Sequence, residues 1–186
     1  AALSFPGFAA VVTGFNPTFA LSEKVNDLAG GGIPPGSYDG ESVALVLRRL
    51  VQYSRTHADA LDKIRAATRT WGVWLGLGDA QGFAVARYLR ASADDFDDET
   101  LPPVTTQPEV RHVAYVDKHP QPSTDLTMSK VVQALASGGN MNATGVAQNV
   151  PRLTHSGDVH IAVYEFAADT KSLSRVLLAT GTTNAQ

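Results

Sequence analysis

The clearest alternation in the chain runs from Val73 to Arg90. Val73, Leu75 and Leu77 alternate with Trp74, Gly76 and Gly78, and a second apolar run follows the polar turn Asp79-Ala80-Gln81-Gly82. A two-residue period on either side of a short turn with a late glycine predicts a β-hairpin. The first arm is small or apolar on both faces, so it belongs inside a sheet covered on both sides. Residues 8–15 and 19–25 read as a hairpin turned at Asn16-Pro17-Thr18, residues 159–166 and 173–179 as a closing hairpin, and residues 110–118 as a single strand.

Helical periodicity lies between these strands. Val43, Val46, Leu47, Leu50 and Val51 share one side of a 3.6-residue period, which predicts a helix over 41–53 with its stripe on a sheet. Thr56 with Asp59 three residues later is a capping pattern, and it opens a second helix through Ala67 with Leu61 and Ile64 inward. A third helix follows Ser123 or Thr124 and stops at Gly138-Gly139. Residues 140–157 read as irregular, or as a short helical turn around 144–148. Residues 26–40 hold Gly30-Gly31-Gly32 and Pro34-Pro35-Gly36 and form a loop; no Gly-Lys-Ser/Thr follows, so the triplet is not a phosphate cradle. The order is strand pair, helix pair, strand pair, strand, helix, strand pair. It implies an α+β fold of antiparallel hairpins rather than crossovers.

Length and charge narrow the picture. The 186 residues 1–186 suit a single domain, and 15 Lys plus Arg against 18 Asp plus Glu gives a net charge of −3 with no basic block. Nucleic acid and anionic membrane are therefore excluded as electrostatic partners, and no run is long enough for a transmembrane segment. The one charge run, Asp94-Asp95-Phe96-Asp97-Asp98-Glu99, reads as a solvated loop, since its spacing is not that of a calcium loop. Cysteine is absent, so the chain holds no disulfide, thiolate metal site or cysteine nucleophile. Neither a metal nor another cofactor is implied.

Several residues are candidates for chemistry. Asp117, Lys118 and His119 stand where a strand ends before a helix, a common place for functional side chains, and Asp117 and His119 are the candidate site residues. Asp158 and His160 point to one side of a strand and read as a hydrogen-bonded edge pair. His155 and Ser156 beside them make a triad in letters only. His57 reads as a solvated or capping residue at a helix start, and Trp71 and Trp74 as core. Asn142-Ala143-Thr144 is a glycosylation sequon, which makes Asn142 a candidate acceptor and a lysosomal or secreted route the matching location. Ala1 is neither an initiator methionine nor part of a signal peptide, so the chain reads as a processed or truncated product.

Three stretches together resemble a known superfamily. They are Phe5-Pro6-Gly7-Phe8 through Thr13-Gly14-Phe15-Asn16 to Leu21-Ser22-Glu23; the helix pair followed by Thr70-Trp71-Gly72-Val73 and the Gly78–Gly82 turn; and Tyr115-Val116-Asp117-Lys118-His119-Pro120 with Ser156-Gly157-Asp158 further on. They are similar to the N-terminal nucleophile hydrolases, in the branch that holds penicillin acyl-CoA acyltransferases, acid ceramidase and related lysosomal amidases. The resemblance implies an αββα fold, with antiparallel sheets between helix layers. It also implies amide hydrolysis or acyl transfer by an N-terminal cysteine that self-cleavage creates and whose α-amino group serves as its base. With no cysteine here, the chain is expected to be the downstream part of a longer precursor, its partner a second chain with an N-terminal cysteine, its substrate an acylated amine such as an N-acyl lipid. The branch places an oxyanion-binding asparagine near the strand end that reads Tyr115-Val116-Asp117 here. That departure keeps open a non-catalytic protein binding a lipid or small ligand on the same fold.

Overall fold

The 3.6-residue stripe of α1 (Val43–Tyr53) buries Val46, Leu47, Leu50 and Val51, and α2 (His57–Ala66) buries Ala60, Leu61 and Ile64 in the same manner. Both pack on one face of a six-stranded antiparallel sheet in a computed structural model that describes residues 1–3, 9–25, 39–90, 92–96, 137–138, 142–154 and 161–179. The strands follow chain order: β1 (Ala2–Leu3), β2 (Thr13–Phe15), β3 (Phe19–Val25), β4 (Val73–Asp79), β5 (Gly82–Tyr88) and β6 (Ala93–Phe96). β3 pairs with β4 from Phe19↔Asp79 to Val25↔Val73, so the helix pair is an excursion that returns the chain to the strand it left.

Register assigns the faces, because directly paired residues point to the same side. Leu21, Leu77 and Ala84 form one row, Val73 and Tyr88 another, and with Phe19 and Leu75 they meet the helices in a single core. Burying each leucine there contributes about 1.5–3 kcal/mol. The opposite face carries one row of small and medium residues, Thr13, Ser22, Gly76 and Val85, flanked by a row with Phe15, Ala20, Gly78 and Phe83 and by the Trp74–Arg87 pair. Two glycines mark close approaches. A Cβ on Gly14 would lie 3.1 Å from Val51 of α1, and Gly40, at φ +146°, would press one within 2.6 Å of the Thr68 carbonyl oxygen.

The chain divides into two compact units. The first comprises 1–101, 116–119 and 166–173; the second comprises 102–115, 120–165 and 174–186. The described part of the second holds α3 (Ala143–Thr154) and most of the two-stranded pair β7 (Ile161–Phe166) and β8 (Leu173–Ala179), whose turn belongs to the first unit. Among the described residues no helix is long and apolar enough to cross a membrane.

The two later hairpins and the helix pair match the periodicity, and the α+β class stands. Four local expectations do not hold. The first strand is only Thr13–Phe15, since Ala10 to Val12 leave the extended ladder and the Val11 N–H donates to Ala44 of α1. The acidic run is not loop throughout: Ala93–Phe96 is an edge strand because Asp94 pairs with Arg87 and Asp95 with Arg65, which removes the charge repulsion. α3 continues well beyond 148, through Pro151, whose missing N–H costs one helical bond that the rest of the helix outweighs. Trp71 is 46% exposed, as it precedes β4 rather than lying in it.

One side chain ties the β2–β3 turn to the end of α1. Asn16 Nδ2 donates to the carbonyl oxygens of Val51 (2.9 Å) and Ser54 (2.7 Å), while its Oδ1 accepts from the Thr18 and Phe19 N–H groups, both at 2.9 Å. Asn16→Ala therefore orphans two helix-end carbonyls and two turn amides, and a loss of about 2–3 kcal/mol is expected. Asn16→Asp should not restore it, since a carboxylate cannot donate and is repelled by a helix C-terminus. Urea unfolding checks both: the midpoint falls by about 1 M with the slope unchanged.

Candidate functional site

Among the described ion pairs, the most deeply buried is His57 and Asp79, whose side chains are 23% and 3% exposed. Thr56 caps α2 through Oγ1, which accepts the Asp59 N–H at 3.1 Å, and this places His57 in the first helical turn. Asp79 closes β4 with its side chain only 3% exposed. Its Oδ2 accepts the His57 N–H and the His57 Nδ1–H, both at 2.7 Å; its Oδ1 accepts the Gln81 N–H at 2.7 Å and the Gly82 N–H at 3.2 Å. Burial pushes the Asp79 carboxyl up, yet the His57 and Gln81 amides and then the imidazole outweigh it and hold it below the usual carboxylate range. A carboxylate at a helix N-terminus also gains from the dipole.

This geometry commits the Nδ1 of the imidazole to Asp79 and fixes the ring's orientation. The neighbouring hydroxyl, on Thr56, is turned to the helix amide and is not a nucleophile for it. The pair serves as a joint between the β4–β5 turn and α2. Nearby Asp59 accepts from the Lys63 ammonium and the Arg55 N–H, which lower its carboxyl pKa.

Glu23 occupies a different position. It lies on β3 opposite Leu75, on the helix-covered face, half-buried. A carboxylate on such a face must be compensated by a partner, so this glutamate is a fixed polar point in an otherwise apolar layer. On the opposite face the Arg87 guanidinium lies 6.0 Å from the centroid of the Trp74 ring and donates to Asp94 at 2.7 Å. Two recesses border these elements, each within one unit. A cleft of about 280 Å³ is lined by Gly40, Ser42, Val43, Thr70 and Trp71, and a polar groove of about 490 Å³ lies beside Asn142 and Arg175.

Asp117 and His119 lie outside the described residues, as do His155, Ser156, Asp158 and His160. Asn142 is described and exposed, at the start of α3, where its Oδ1 accepts the Gly145 N–H at 2.9 Å. His57 is a half-buried residue of the first turn of α2 rather than the solvated cap its sequence position implies, because the fold brings Asp79 to it. In the sequence Glu23 stands out only within the Leu21-Ser22-Glu23 stretch, since a single Glu near a strand end carries no periodic signal of its own. Among the described residues no three His, Asp or Glu side chains converge as metal ligands.

No protein-family model matches the chain. It is 33% identical over 172 residues to Protein dcd1B of Dictyostelium discoideum, covering 88% of this chain and 33% of that protein. It is 30% identical over 173 residues to Protein dcd1A of the same organism, covering 89% of this chain and 38% of that one. The chain thus spans about a third of the length of these curated relatives. Among solved structures it resembles the Caenorhabditis elegans N-acylethanolamine-hydrolyzing acid amidase ortholog, with a TM-score of 0.53 at 14% identity, covering 79% of this chain and 65% of that one.

The Asp79 contacts predict an acid limb of stability. Its folded pKa lies below an unfolded value of about 3.9, so its contribution is complete above that pH and is lost as pH falls through the folded pKa. Asp79→Asn should be less stable than wild type at neutral pH, and its stability should fall less steeply below about pH 4. Urea midpoints at neutral pH and at two acid pH values check both statements.

Proposed function

On a chain with the N-terminal nucleophile hydrolase fold, we propose that these residues form the downstream part of a cysteine-type amidohydrolase or acyltransferase acting on linear amides such as N-acyl lipids. One observation carries the reading: the likeness to an amidase extends over 79% of the chain at a TM-score of 0.53. The absence of cysteine and the far greater length of both relatives support the rest of it, a nucleophile supplied by a second chain with its own N-terminal cysteine. A lysosomal or secreted location belongs to the same reading.

This chain's share of the work follows from its parts. The small-residue row of β2, β3 and β4, with Thr13, Ser22 and Gly76, supplies a wall that an acyl chain can approach closely; a Cβ on Gly76 would lie 3.0 Å from Ser22 Oγ. Glu23 projects to the other side of β3, into the helix-covered layer, and stands behind that wall rather than on it. The same reading would assign Asp117 and His119 to the oxyanion side of the reacting centre. The substitution at Tyr115-Val116-Asp117 favours the second reading, a non-catalytic protein that binds a lipid or small ligand in the same cleft.

The test uses the full precursor product. Intact-mass analysis under denaturing conditions should show this chain with a second that begins with cysteine. N-acyl amine hydrolysis should vanish on alkylating that cysteine. Ligand binding that survives alkylation, with no hydrolysis before it, supports the binder. A single chain without cysteine and without hydrolysis overturns the enzyme reading.

A further inference from the structure

The polar groove beside α3 coincides with the sequon. Its lining among the described residues is Asn142, Thr144, Gly145, Gln148, Asn149 and Arg175, a set of amide, hydroxyl and guanidinium groups with no carboxylate or large apolar side chain among them. Its volume, about 490 Å³, lies within the range of ligand clefts. The lining is predominantly polar, so an acyl chain finds little to bury against, whereas the hydroxyls and acetamido group of a sugar find donors and acceptors. Arg175 stands fixed across the groove by Glu165 at 2.8 Å and reaches the Thr144 hydroxyl at 3.4 Å.

Asn142 is posed for modification at the mouth of this groove. Its carbonyl oxygen accepts the Val146 N–H and its Oδ1 the Gly145 N–H, so the side-chain oxygen is turned over the helix end. The planar carboxamide then carries Nδ2 away from the helix. Substitution at Nδ2 leaves Oδ1 free to keep the cap.

We infer that Asn142 carries an N-glycan whose first sugars lie in the groove between α3 and Arg175. Nδ2 bonds to the anomeric carbon of a polyprenyl-diphosphate-linked oligosaccharide as the carbon–oxygen bond to the diphosphate breaks. The diphosphate leaves with the electron pair and the amide proton passes to a base of the transferring enzyme. The inference rests on the secretory route proposed above but not on amidase chemistry.

Mass analysis of the full-length protein from its source cells tests it, with peptide-N-glycosidase release in heavy-oxygen water. The Asn142 peptide should be recovered as labelled aspartate. In a eukaryotic secretory host Asn142→Gln and Thr144→Val should abolish the glycan, while Thr144→Ser should retain it. Gln148→Ala and Arg175→Ala should each speed enzymatic release from the folded protein several-fold, with no change after denaturation. An unmodified Asn142 peptide overturns the site, and release at the wild-type rate from both groove variants overturns the seat. Amidase activity in a protein lacking the glycan would separate this failure from failure of the enzyme reading.

Discussion

The corner between α1 and α2 is the constraint on which the described sheet and helices depend. At Ser54-Arg55-Thr56 the chain must end one helix and begin another, which leaves carbonyls on one side and amides on the other without helical partners. Two turns of the neighbouring sheet supply what each end lacks. Asn16, from the β2–β3 turn, donates to Val51 and Ser54 carbonyls; Asp79, from the β4–β5 turn, accepts from the His57 amide and imidazole. The signs suit the dipoles, a donor at the C-terminal end of α1 and a carboxylate at the N-terminal end of α2. The corner is otherwise poorly endowed: the buried Ser54 hydroxyl finds no partner among the described residues.

Because Phe19 and Asp79 are register partners, both turns lie at one end of the β3–β4 ladder. Fixing that end fixes where the helices lie and which face of the sheet they cover. Glu23, four residues along β3 and so about 13 Å from Phe19, is held by the same ladder without taking part in the corner. The division of labour is physical. One end of the strands serves to join layers, and the other end carries a carboxylate at a position that packing alone would give to an apolar residue.

Periodicity made much of this legible. The alternation of Val73, Leu75 and Leu77, the stripe of α1 and the Thr56–Asp59 cap each have a local cause, so a local reading finds them. What escaped depends on distant partners. Asp94 and Asp95 form a strand because Arg87 and Arg65 neutralise them, and α3 runs through Pro151 where a residue-by-residue reading stops. Asn16 looked like a turn residue and His57 like a solvated cap; neither role reveals that their bonds join separate elements. The superfamily resemblance found the fold, while Asp117 and His119 fall outside the described residues.

The central claim, that two turns grip one corner, is tested most directly by a double-mutant cycle on Asn16→Ala and Asp79→Ala. If both hold the same corner, the second loss removes a grip already loosened. The double variant should then be less destabilised than the sum of the singles by about 0.5–3 kcal/mol. Additivity within about 0.3–0.5 kcal/mol would mean two independent caps and would contradict the account.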